Sequence, residues 1–139
     1  MKTALILLAI DESPFLQLGD RALRSAGYDT ALAHDRDGLA RALQESSPSL
    51  LLIGEHLRGE SGLQLAAEQL ERFPTLPILL YAEKDTHAIA REVLRVGLRG
   101  YIFPPLRTDD IVAAVTRSLD RARHIGDWVR GEVGRTTAS

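Results

Sequence analysis

Nearly unbroken apolar runs of strand length alternate along this chain with segments whose apolar positions recur every three or four residues. Residues 3–10 (Thr-Ala-Leu-Ile-Leu-Leu-Ala-Ile) and 50–53 (Leu-Leu-Leu-Ile) are such runs, as expected of strands covered on both faces. Residues 78–81 and 101–103 have the same character, and the weaker stretch 28–33 is expected at a sheet edge.

The intervening segments carry helix start and stop signals. Ser13 stands before Pro14 as a cap, and Gly27 closes the helix that follows, with Phe15, Leu18, Ala22, Leu23 and Ala26 on one face. A second helix is predicted over about 37–45, ahead of Ser46-Ser47-Pro48. Ser61 and Gln64 read as a capping box for a third, which Pro74 stops. The fourth runs from near Thr86 to Val96 with Gly97 as its terminal glycine. The fifth follows Thr108, with Asp109 and Asp110 where the helix dipole favours acids.

Five strand–helix repeats predict an α/β fold, one parallel sheet with helices on both faces. Sites in such sheets form beyond the carboxyl ends of the strands. Asp11-Glu12, Gly54-Glu55, Ala82-Glu83 and Pro104-Pro105 therefore ring one crevice. Residues 3–124 form one domain on this reading. Ile111, Val115, Leu119, Ala122, Ile125, Val129 and Val133 keep helical spacing further on, while Gly126, Gly131 and Gly134 weaken the helix. Residues 125–139 are accordingly an extension of the last helix or a linker with a frayed end.

Composition narrows the class without changing this layout. The chain has 139 residues, 45% apolar and 26% charged, with net charge −2 and no basic run, so direct nucleic-acid contact is not expected. Absence of cysteine excludes disulfides and thiolate metal sites and suits a reducing cytoplasm. The apolar N-terminal run is short for a secretory signal, is followed by Asp11-Glu12 without a cleavage pattern, and is too short to span a bilayer.

The order and lengths of these elements resemble a bacterial two-component response-regulator receiver domain over roughly residues 3–124. Asp11-Glu12, Ala26-Gly27-Tyr28, Ser61-Gly62, Pro77, Gly97, Gly100-Tyr101 and Pro105 carry the resemblance through their joint spacing. It implies a flavodoxin-like (CheY-like), doubly wound five-stranded parallel sheet of (βα)5 type with strand order 2-1-3-4-5. It also implies functional positions. Counting back from the loop glycine Gly62, the phosphoacceptor aspartate of the family falls on Gly54. The hydroxyl residue ending the fourth strand falls on Ala82, and the lysine after the fifth strand falls on Pro104. Of the acidic pair after the first strand, the first member falls on Ile10 and the second on Asp11, with Glu12 beside it.

Each replacement removes chemistry. Glycine offers no nucleophile for aspartyl phosphorylation, and Mg²⁺ needs converging oxygen ligands of which Asp11 is the residual one. Ala82 has no hydroxyl, and Pro104 has neither charge nor backbone N–H. The expectation is a degenerate pseudo-receiver. No enzymatic activity and no cofactor are expected, and Mg²⁺ binding should be weak or absent. Other readings of single residues are structural. Asp11 is expected to cap the chain entering the first helix, Glu55 to be a surface acid, and His56 an exposed loop residue. Tyr101 matches the family's switch aromatic and is expected to be a fixed packing residue, since its hydroxyl partner is Ala82. The resemblance places a cis bond before Pro105. A partial Gly54-x-His56-x-x-Gly59 match to a cobalamin-binding signature lacks its aspartate and is coincidental.

The function so implied is a cytoplasmic signal-transduction module acting by phosphorylation-independent protein contacts. Partners are other proteins, a second copy, or an output domain of a larger regulator, without direct nucleic-acid or membrane contact. The face of the fourth helix, fifth strand and fifth helix is the expected surface. The apolar stripe through Ile125 and Val129 suits a coiled-coil-like dimer or a connector, or else folds back on its own core. Two alternatives remain: a phosphorelay receiver whose acceptor is Glu55 or Asp11, and a crevice that binds a small ligand.

Overall fold

The computed structural model describes residues 3–127, with side chains as far as residue 120. Five parallel strands, β1 (Leu5–Ala9), β2 (Asp29–Leu32), β3 (Leu50–Gly54), β4 (Ile78–Tyr81) and β5 (Gly100–Ile102), form one sheet in the order β2-β1-β3-β4-β5. The expected order is therefore observed. β2 is an edge strand with no buried residue, which accounts for its weak apolar signal.

Five helices connect the strands: α1 (Pro14–Ser25), α2 (Arg36–Ser46), α3 (Gly62–Arg72), α4 (His87–Val96) and α5 (Thr108–Asp127). Alternation along each strand divides the core into two layers. Leu7, Ala9, Leu51, Ile53, Ile78 and Leu80 pack with Leu39, Leu65 and Val93 from α2, α3 and α4. Ile6, Leu8, Ile10, Leu50, Leu52 and Leu79 pack with Leu16, Leu23, Ile111 and Val115 from α1 and α5. Strands that must satisfy both layers have no polar face, hence the continuous apolar runs.

The helix ends follow the capping signals. Ser13 Oγ accepts from Leu16 N–H, Ser61 Oγ from Gln64 N–H and Thr86 Oγ1 from Ile89 N–H. Gly97 ends α4 at φ 96°, a left-handed conformation that a side chain would strain. Two boundaries differ from expectation. α2 begins at Arg36, because Asp35 accepts from Gly38 N–H and caps it earlier. β1 covers only the middle of the 3–10 run, as Ile10 stays buried but lies past the last paired residue.

α5 continues through Asp127, while Val129 and Val133 of the predicted stripe and most of the segment 125–139 lie outside the described residues. Among the described residues no helix is long and apolar enough to cross a membrane.

Candidate functional site

The carboxyl ends of β1, β3, β4 and β5 and their following loops form the crevice. Gly54 is the last residue of β3, is fully buried, and pairs in register with Tyr81 of β4. Its backbone is not left-handed, and a Cβ built on it would meet only His56 O at 3.4 Å, Ile10 Cγ2 at 3.7 Å and Ile10 Cα at 3.8 Å. The fold therefore does not demand glycine here. Gly62 is the opposite case: a Cβ there would overlap the carbonyl oxygen of Gly54. The first residue of α3 sits directly against the end of β3, and its N–H donates to Glu55 O at 2.8 Å.

Between them the chain forms a small ribbon, His56–Leu57 against Glu60–Ser61, turned by Arg58 at φ 51° and Gly59 at φ 82°. Leu57 is wholly buried and anchors the ribbon to the core. Arg36 ties it to its surroundings from α2, donating from Nε and Nη2 to Glu60 Oε1 at 2.9 and 2.6 Å and from Nη1 to Glu68. Hydrogen bonds to Glu60 and then Glu68 hold the Arg36 guanidinium pKa above its ordinary value.

Asp11, expected to cap the chain entering the first helix, and Glu55, expected to be a surface acid, both hold backbone amides. Asp11 Oδ1 accepts from Arg58 N–H at 3.0 Å. It therefore ties the first loop to the ribbon, and the cap of α1 is Ser13 instead. Glu55 Oε1 accepts from Glu83 N–H at 2.7 Å, so it turns toward the β4–α4 loop and is not a free surface acid. Glu12 is exposed and accepts from Gln17 Nε2 at 2.7 Å. His56 is exposed, as expected, and faces Glu83 with Nδ1 3.5 Å from Oε2.

The remaining positions are apolar or conformational. Ala82 is fully buried, and its N–H donates to Ile102 O at 2.8 Å. Pro104 is exposed, and the Pro104–Pro105 bond is cis, matching the expectation for that loop. Ile10, Phe15 and Tyr81 belong to the apolar layer under α1 and α5. Phe15 and Tyr81 stack with ring centroids 3.6 Å apart and planes 2° from parallel. Burial raises the Tyr81 pKa, and the charge of Glu83 adds to the effect.

Tyr101 is half-buried against the other layer, and its ring lies 5.9 Å from that of Phe103. Its hydroxyl donates to Asp85 Oδ1 at 2.6 Å, and this bond, with lesser contributions from burial and the Asp85 charge, raises its pKa. Sequence reasoning placed Glu83 at the crevice but missed Phe15, Tyr81 and Asp85 there. Their only signal was position, at or just beyond an element that points into the crevice.

The surface hollow of about 570 Å³ between α1 and α5 is elsewhere, lined by Leu18, Ala22, Val112 and Ala113 among others and by none of the crevice residues above. Among the described residues no three His, Cys, Asp or Glu side chains converge to hold a metal ion.

Comparison with known proteins fits this geometry. A family model described as the response regulator receiver domain matches residues 6–116. NtrX from Brucella abortus, solved in complex with ADP, superposes with a TM-score of 0.82 at 24% identity, covering 91% of this chain and 29% of NtrX. This chain thus spans less than a third of that protein. The receiver domain of the same NtrX gives 0.75 at 25% identity over 83% of this chain and 98% of that one. A CheY-like receiver domain protein from Methanospirillum hungatei gives 0.78 at 20% identity over 88% and 98%. With the sheet order, the two helical layers and the family model in agreement, this chain belongs to the response regulator receiver domain family, a family of signal-transduction modules.

Proposed function

We propose that this receiver domain signals through protein contacts and does not use aspartyl phosphorylation. Gly54 carries the reading: the end of β3 has no side chain to attack a phosphoryl donor, although the backbone there has room for a Cβ. The neighbouring positions support it. Ala82 presents a methyl group, and Pro104 offers neither charge nor N–H to an incoming oxyanion. Asp11 has one oxygen engaged by the Arg58 amide, and a hard dication needs several converging oxygens. Mg²⁺ affinity is therefore weak or nil. Glu55, as a substitute acceptor, is disfavoured by its bond to Glu83 N–H.

The contact surface on this reading is the face of α4, β5 and α5, used by a protein partner or an output domain in the cytoplasm. Leu94 on α4 is 80% exposed and Phe103 after β5 is 37% exposed. Either alone is unremarkable, and together they give that face apolar contacts to offer. The test is incubation with acetyl phosphate and Mg²⁺, followed by intact mass and amide NMR. No phosphoryl mass gain and no Mg²⁺-dependent shifts are expected; stoichiometric phosphoryl uptake overturns the proposal.

A further inference from the structure

We infer that Glu55 is a positioning residue that holds the β4–α4 loop, and through it the start of α4, in one arrangement. The inference deepens the proposal above and rests on it, because it supplies a permanent carboxylate in a domain read as lacking a transient phosphoryl group.

The backbone explains why a side chain is needed at this place. β4 ends at Tyr81, and Ala82 N–H donates sideways to Ile102 O of β5. Successive amides in an extended chain point to opposite sides, so the next one, Glu83 N–H, points toward β3. β3 has already ended at Gly54, and the carbonyl of Glu55 is taken by Gly62 N–H. Among the described residues Glu83 N–H makes no bond to a backbone carbonyl on that side, and the Glu55 carboxylate provides the acceptor at 2.7 Å. A hydrogen bond to an ionised acceptor is stronger than one between neutral groups.

The same loop is held on its other flank. Tyr101 of β5 donates to Asp85 at 2.6 Å, and Thr86 then caps α4 by accepting from Ile89 N–H at 3.1 Å. Residues 83–86 are thus tied to β3 on one side and to β5 on the other before α4 begins. Release of the Glu55 bond leaves that flank of the loop with only the longer, exposed His56–Glu83 contact, and loosens the start of α4 with it.

Amide hydrogen exchange by NMR tests the assignment. Glu55→Ala should raise exchange of the Glu83, Ile89 and Ala90 amides roughly tenfold to hundredfold, the range for loss of a hydrogen bond to a charged group. Glu55→Gln retains an acceptor oxygen at the same reach and should restore most of the protection. Glu55→Asp, one methylene shorter, should behave like alanine. Amides of β1 and β3 should keep their parental rates in all three.

Unchanged exchange at Glu83 in Glu55→Ala overturns the inference, as does an acceleration spread evenly through the sheet. Treating the parent chain with acetyl phosphate and Mg²⁺ separates the two ideas. A phosphoryl mass gain with the local exchange pattern intact overturns the phosphorylation-independent reading and leaves the clamp standing. Unchanged mass in the parent together with unchanged Glu83 exchange in Glu55→Ala overturns the clamp alone.

Discussion

Phe15 and Tyr81 lie face to face, 3.6 Å between ring centroids, and join the first turn of α1 to the last residue of β4. The pair stands beside Gly54, since Tyr81 is its partner in register. Apolar contact therefore bridges helix and strand next to the empty side-chain position. Phe15→Ala should cost about 2 kcal/mol, less than a fully buried phenylalanine because the ring is only partly covered. Urea denaturation checks this: the midpoint should fall with the m-value unchanged.

The phenols of Tyr81 and Tyr101 both titrate above the ordinary value of 10.0, the first from burial and the second from its bond to Asp85. For an acid whose folded pKa is raised, the fold favours the neutral form. The associated stability is present in full below the unfolded value and is lost as pH rises through the folded one. Melting temperatures should therefore drop as pH passes above about 10. Ultraviolet titration of phenolate should show late components that Tyr81→Phe and Tyr101→Phe remove one at a time.

Two buried glycines at one corner should respond in opposite ways. Gly62→Ala forces a methyl group into the Gly54 carbonyl and should destabilise by roughly 2–3 kcal/mol, through displacement of α3 from β3. Gly54→Ala meets only ordinary contacts and should stay within about 1 kcal/mol of the parent. Equal losses from thermal or urea unfolding would contradict the geometry.

Gly54→Asp has room for its Cβ yet should fail to become a working switch. Ile10, Ala82 and Pro104 still withhold a second acid, a hydroxyl and an ammonium from the crevice. Intact mass after acetyl phosphate and Mg²⁺ should show little phosphoryl uptake, and sedimentation should show no change of association state. Ready uptake accompanied by altered association would sink the account of coordinated loss.

Much of the fold is legible in the sequence, because the signals that set it are local. Ser13-Pro14, Ser61 and Thr86 start helices, Gly97 ends one, and unbroken apolar runs mark strands that face two layers. The edge position of β2 follows from its polarity in the same way. The crevice is legible only as a set of positions. That Glu55 holds the amide of Glu83, 28 residues away, depends on the strand ending at Tyr81 lying beside the one ending at Gly54. Spacing along the chain carries no trace of that pairing. Asp11 was expected to serve the adjacent helix, but Ser13 is better placed, leaving Asp11 to reach Arg58 across the crevice. Phe15 was assigned to the core face of α1 correctly, yet its partner required the strand register as well.

The bonds from Asp11 to Arg58, from Glu55 to Glu83 and from Tyr101 to Asp85 run in series. They link the loops after β1, β3 and β4 to one another and to β5. Their ordering entropy is lost once, during folding, and not again on association. A protein that docks on the proposed face of α4, β5 and α5 meets an α4 whose start is already set in place, so more of its contact energy appears as affinity. The corollary is kinetic: such a surface suits recognition close to rigid docking, with little rearrangement after encounter.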